Sequence, residues 1–84
     1  MDEVAVRVEG AVRDALKAIR PAAAGLDSDA DLATEAGLDS VEVMDLVMEI
    51  EDRLDLSIPV ETLSQAHTIR SLCAGILALS GSRR

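Results

Sequence analysis

No Phe, Tyr or Trp occurs in the 84 residues, although 49% of them are hydrophobic. A chain this apolar is expected to be globular rather than disordered. Its core must be assembled from Leu, Ile, Val, Met and Ala, a set that favours packed helices over a β-sandwich. The length admits a single domain over 1–84, with an ordered core about 3–79, because so short a chain cannot support two independent cores. A small core without rings predicts modest stability.

The first segment has a clear helical period. Val4, Val8, Ala11, Val12, Ala15, Leu16 and Ile19 form one stripe, with Arg7, Glu9, Arg13, Asp14 and Lys17 off it. Asp2 and Glu3 suit the positive end of the helix dipole, and Lys17 and Arg20 the negative end. Pro21 cannot continue the pattern, so helix I is predicted over about 3–19. Residues 21–39 form a long connection in which Leu26, Leu32 and Leu38 read as anchors, with a short turn of helix near 31–35. Helix II is predicted over 40–54. Its face is Val43, Leu46, Val47, Ile50 and Leu54, its charges are Glu42, Asp45, Glu49 and Asp52, and Val41, Met44 and Met48 lie on a flank. Asp39 followed by Glu42 has the spacing of a capping box. Residues 60–65 allow a short helix III after Pro59. Thr68 is a candidate N-cap for helix IV, with Ile69, Leu72, Cys73, Ile76 and Leu77 on its apolar face. The tail Ser80–Arg84 is expected to fray. The fold class is therefore all-α: a four-helix bundle of up-down type, with three long helices, one short helix and a long loop between helices I and II.

Charge divides the chain. Residues 1–25 carry four acids and four bases, residues 26–63 twelve acids and one base, Arg53, and residues 64–84 three bases and no acid. The acidic middle repels nucleic-acid phosphates and anionic lipid and complements a partner with a basic patch. One cysteine permits neither an internal disulfide nor a Cys-cluster metal site. Asp27, Asp29 and Asp31 open like a calcium loop. The position that requires Gly is Leu32 and the one that requires a bidentate Glu is Leu38, so a solvated acidic loop is the expectation and no metal is assigned. The start, Met1-Asp2-Glu3, is unlike a signal peptide, and no run reaches the ~20 apolar residues of a membrane span. A cytoplasmic monomer is expected.

No catalytic constellation emerges, and no catalytic residue is assigned. The single histidine, His67, lies on a segment between helices, and no strand–turn–helix elbow precedes Ser40. By spacing alone, Ser40 and Asp39 satisfy a plain helix cap as well as they satisfy an exposed hydroxyl at a helix start.

Gly37-Leu38-Asp39-Ser40, followed by Val41 to Asp52, resembles the acyl carrier protein family. The resemblance continues through Ile58-Pro59 and Thr68-Ile69 and covers about residues 26–77. It implies that Ser40 receives 4′-phosphopantetheine from coenzyme A, with Asp39 as cap and as part of the motif that the transferase reads. A phosphodiester there meets the positive end of the helix dipole. It also implies that the chain is no enzyme but a discrete carrier, a phosphoprotein holding acyl groups as thioesters for fatty-acid, polyketide or specialised lipid biosynthesis.

The implied partners are a phosphopantetheinyl transferase and acyl-loading, condensing or acyl-transfer enzymes with basic patches. Val41, Glu42, Met44, Asp45, Met48, Glu51 and Asp52 fall on the implied partner surface, and Leu46, Val47, Ile50 and Leu54 on the core or an acyl cavity. Met44 and Met48 suit core filling and adaptable contacts equally. Lysines in place of Glu42 and Asp45 are expected to weaken transfer without unfolding the bundle. Three departures point to a specialised pathway: Val41 for the usual Leu, Glu35-Ala36-Gly37 for Asp-Leu-Gly, and Leu54-Asp55 for Phe-Gly. Leu38-Asp39 differs from the Gly-Gly-His/Asp-Ser pattern of peptidyl carriers, which points away from aminoacyl cargo. The competing readings are such a peptidyl or aminoacyl carrier, or an unmodified helical interaction module.

Overall fold

The computed structural model describes residues 3–82, so Asp2, Arg83 and Arg84 lie outside the described residues. Helix α1 spans Glu3–Ile19, with Glu3 in its first turn and Lys17 in its last. The Arg20 N–H donates to the Leu16 carbonyl at 2.7 Å, and Pro21 then opens a 3-10 turn over Pro21–Ala23. Val8, Val12, Ala15 and Leu16 are buried, as the stripe predicts. Val4 is not: it is 47% exposed, on the wall of an open groove that it shares with Leu54 and Leu56.

Helix α2 spans Ser40–Leu54, α3 Val60–Ser64 and α4 Ile69–Ser82. The period fixes these elements and local hydrogen bonds fix their ends. In α4 the Ser71 N–H donates to Thr68 Oγ1 at 3.0 Å and the Thr68 N–H to Ser71 Oγ at 2.9 Å, so Thr68 is the N-cap. Two bounds differ from expectation. Gln65 terminates α3 rather than belonging to it. The backbone of residues 80–82 continues α4, and the rest of the tail lies outside the described residues.

The chain is an all-α bundle without a β-strand among the described residues, apart from one isolated bridge between Asp31 and Thr68. Helix α1 packs on both α2 and α4, and α3 packs on α4. The shared interior is purely aliphatic: Leu16, Leu46, Ile50, Ile69, Leu72 and Ile76 are at most 1% exposed, and no polar side chain among the described residues is buried. Helices α3 and α4 approach closely at Gly75, where a Cβ would stand 2.8 Å from Thr62 Cγ2.

The long connection is pinned more firmly than its composition suggests. Leu32 and Leu38 are buried and Leu26 is half-buried against the core, with Ala23 and Ala36 joining them. Arg13 reaches from α1 to hold the Ala24 and Leu26 carbonyls at 3.2 and 2.7 Å and Ser28 Oγ at 3.0 Å. From the other side, the Arg70 N–H donates to the Ser28 carbonyl at 2.8 Å and the Leu32 N–H to the His67 carbonyl at 2.9 Å.

The loop acids are not merely solvated. Asp29 pairs with Arg70 at 2.7 Å, and Asp27 accepts from the Asp29 N–H. Asp31 caps the expected turn near 31–35, which is a single turn and not a helix. Asp31 Oδ1 accepts from the Ala33 and Thr34 N–H groups at 2.8 and 3.0 Å.

The Thr34 and Ala33 backbone N–H groups, in that order, hold the Asp31 carboxyl below its ordinary value. A lowered folded-state value means that the stabilisation is present above the unfolded-state pKa and is lost as pH falls through the folded one. Asp31→Ala is therefore expected to lower stability in urea titrations near about pH 7, with the gap to wild type closing by about pH 2. An equal gap at both would overturn the assignment.

Candidate functional site

The Gly37–Ser40 turn lies where the long connection enters α2. Gly37 has φ +73°, a left-handed conformation that costs an L side chain about 1–2 kcal/mol, and this reversal turns the chain toward the helix. Leu38 is buried, and its N–H donates to the Leu32 carbonyl at 3.1 Å, which fixes the depth of the turn. Asp39 is extended, with φ −88° and ψ 179°, and is the N-cap. Its Oδ1 accepts from the Glu42 N–H at 2.8 Å, while the Asp39 N–H donates back to Glu42 Oε1 at 3.3 Å. The capping box read from the sequence is complete.

Ser40 is therefore not the cap. It is the first residue of α2, it is exposed, and its hydroxyl has no hydrogen-bond partner among the described residues. The N–H groups of Ser40 and Val41 have no intrahelical acceptor, which leaves two donors at this end of α2.

Beyond Ser40, α2 presents Val41, Met44 and Met48 at 68%, 49% and 59% exposure, which resolves the two methionines as surface rather than core. Asp45 and Asp52 are exposed beside them. Asp45, Met48, Glu49 and Asp52 also rim an open groove of about 320 Å³ floored by Ala18 and Ile19 of α1. Two of the seven predicted surface residues are otherwise engaged. Glu51 is half-buried, and its Oε2 accepts from the Ile58 N–H at 2.8 Å, holding the α2–α3 loop. Glu42 completes the capping box and pairs with Arg20 at 2.7 Å, with only 25% of its side chain exposed. On the inward side Leu46, Val47 and Ile50 are buried, and Val43 and Leu54 pack against them.

A family model described as "Phosphopantetheine attachment site" matches residues 6–76, almost the whole bundle. The chain belongs to this family. Its members are carrier domains that bear covalently attached 4′-phosphopantetheine and are not themselves enzymes; they interact with the enzymes they serve and are modified by a phosphopantetheinyl transferase. No curated protein and no solved structure shows a significant match to the chain.

Other reactive groups of this carrier have quieter places. His67 is exposed between α3 and α4, and its backbone rather than its ring is bonded. Burial pushes the Cys73 thiol up, so it is a poor nucleophile on the inner flank of α4. No helix among the described residues is long and apolar enough to cross a membrane.

The sequence did not expose Arg20 as a part of the carrier's turn. Its Nη2 donates to Glu42 Oε1 and Oε2 at 2.7 and 2.9 Å and to the Gly37 carbonyl at 3.2 Å. The partners are 22 and 17 residues away, outside any local spacing rule. A faint signal was available: Arg20 is the last cation before an acidic stretch whose single base is Arg53.

Proposed function

We propose that this carrier bears its 4′-phosphopantetheine on Ser40 and shuttles acyl intermediates, in a specialised polyketide or lipid pathway rather than housekeeping fatty-acid synthesis. One observation carries the assignment. Asp39 already performs the capping work, so the exposed Ser40 hydroxyl has no structural task.

The fit to the prosthetic group is favourable. Ser40 Oγ would attack the pantetheine-side phosphorus of coenzyme A, forming an O–P bond as the pyrophosphate P–O bond breaks. The adenosine-bearing half leaves, and the serine proton passes to the transferase. The Ser40 and Val41 N–H groups would be donors for the resulting phosphodiester. When attached, the arm supplies a terminal thiol that carries acyl groups as thioesters.

The departures in sequence support a distinct pathway without loss of the fold. Asp55 stands where Gly is frequent in acyl carriers and takes the left-handed cap conformation, φ 54° and ψ 51°, that Asp tolerates better than most residues. Leu54 packs against the core in the place of a ring.

Co-expression with a broad-specificity phosphopantetheinyl transferase, followed by intact mass, tests the reading: the chain is expected to gain one phosphopantetheine increment. No increment under conditions that load a control carrier would overturn it. Loading assays with acyl and aminoacyl thioesters then test the cargo, and acyl transfer is expected to be the productive one.

Val41, Met44, Met48, Asp45 and Asp52 form the proposed docking surface. The acids act through steering, which is sensitive to salt. Asp45→Lys combined with Asp52→Lys is expected to lower kcat/KM for the transferase about tenfold at low salt, with the deficit shrinking toward about 0.5 M salt. Unchanged rates at low salt would overturn the steering argument. Glu42 is left out of this pair, since lysine there would meet Arg20 and break the capping box.

A further inference from the structure

We infer that Arg20 is a positioning residue for the phosphopantetheinylation of Ser40: from the end of α1 it clamps both sides of the attachment turn and fixes where the hydroxyl stands. This rests on the reading of Ser40 as the attachment point. One nitrogen, Arg20 Nη2, donates to the Gly37 carbonyl before the turn and to both carboxylate oxygens of Glu42 after it. Glu42 Oε1 also accepts from the Asp39 N–H. Gly37, Asp39 and Glu42 are thus joined through a single guanidinium anchored on the bundle, and Ser40 lies between the last two.

The contact is poorly explained as a device for stability. The Arg20 side chain is 41% exposed, where an ion pair adds little in water. Its Nε is buried without a hydrogen-bond partner, which costs part of whatever the Nη2 bonds contribute. The reciprocal capping bonds between Glu42 and Asp39 involve no atom of Arg20. What the arginine adds is registry. Gly37 is the flexible joint of the turn, and its carbonyl is tied to the same cation that holds the first turn of α2. A nucleophile that drifts by a fraction of an ångström loses much of its advantage in an in-line displacement. Val41, Met44 and Met48 are exposed and make no contact with the Arg20 guanidinium through a hydrogen bond.

The test is steady-state phosphopantetheinylation of wild type, Arg20→Met, Arg20→Lys, Glu42→Gln and the Arg20→Met/Glu42→Gln pair, with thermal melts and amide hydrogen exchange. Gln at 42 retains an oxygen for the Asp39 N–H and removes the charge. Arg20→Met and Glu42→Gln are each expected to lower kcat about tenfold with KM within about twofold. The double variant should be no worse than either single one. Lys at 20, able to meet Glu42 but not both sides of the turn, should recover part of the loss. Melting temperatures should stay within about 4 °C of wild type, while the bonded amides of Leu38, Glu42 and Val43 exchange faster in Arg20→Met. Wild-type kcat in Arg20→Met, or losses that add in the double variant, would overturn the clamp. A wild-type chain that gains no increment overturns the reading of Ser40 instead. Exchange then decides the clamp, and unchanged rates at Leu38, Glu42 and Val43 in Arg20→Met would overturn it.

Discussion

Ser40→Ala is expected to abolish the phosphopantetheine increment completely while the bundle stays folded. The loss is total because Oγ is the atom that forms the new O–P bond, and alanine offers nothing in its place. The fold should not notice. Ser40 is exposed, its hydroxyl has no partner among the described residues, and Asp39 remains the cap. A surface change of this kind is expected to stay within about 0.5 kcal/mol of wild type. Asp39→Ala makes the complementary case: it removes the acceptor for the Glu42 N–H and should cost about 1 kcal/mol of stability while leaving the hydroxyl in place. Intact mass and thermal melts on the two variants separate the roles. An increment that persists in Ser40→Ala would move the site to another hydroxyl. Full pathway activity of that unmodified variant would favour a plain helical interaction module over a carrier.

The helices were legible because their causes are local. A 3.6-residue period, a proline after Arg20 and an Asp–Glu pair three apart each act within a turn or two. Accordingly α1 and α2 begin and end at the residues the pattern indicates. Ser40 was legible as a motif, but whether it served as cap or free hydroxyl depended on which oxygen accepts from Glu42, and spacing does not encode that. The stripe of α1 failed at Val4 because a period says which face is apolar, not how far the neighbouring helix extends to cover it.

What sequence reasoning missed depends on the path of the 21–39 connection. Arg13, Arg20 and Arg70 all reach into or across it, to partners 11 to 41 residues away. The bonds made by two acids that the resemblance puts on the partner surface were also out of reach of sequence reasoning. Glu42 and Glu51 sit on the outer arc of α2, yet their side chains are long enough to turn back, one to Arg20 and one to the Ile58 N–H. The shorter Asp45 and Asp52 stay in solvent. Side-chain reach as well as angular position decided which acids fold back onto the bundle and which stay in solvent.

Leu16→Ala is expected to be the most damaging single change to the fold. Leu16 is fully buried, and it lies on α1, the helix that packs on both α2 and α4. A cavity opened there therefore loosens both contacts at once. Leu→Ala at such sites costs about 2–5 kcal/mol, while a chain of this length has about 4–13 kcal/mol in total. A ring-free core can lie toward the lower end, so the variant should be partly unfolded at room temperature. The chain has no Trp or Tyr to report by fluorescence, so urea titrations followed by far-UV circular dichroism are the suitable measurement. Leu16→Met, which nearly conserves volume, is expected to cost less than about 1.5 kcal/mol. A loss below about 1 kcal/mol in Leu16→Ala would mean that the small aliphatic side chains collapse into the space, and that the core is more plastic than its full burial suggests. The functional consequence follows from mass action. Ser40 can be presented at the first turn of α2 only while α1 holds that helix in place, so the transferase rate in Leu16→Ala should track the folded fraction through the urea transition. A rate that outlasts the folded fraction would show that the transferase reads the turn without the bundle.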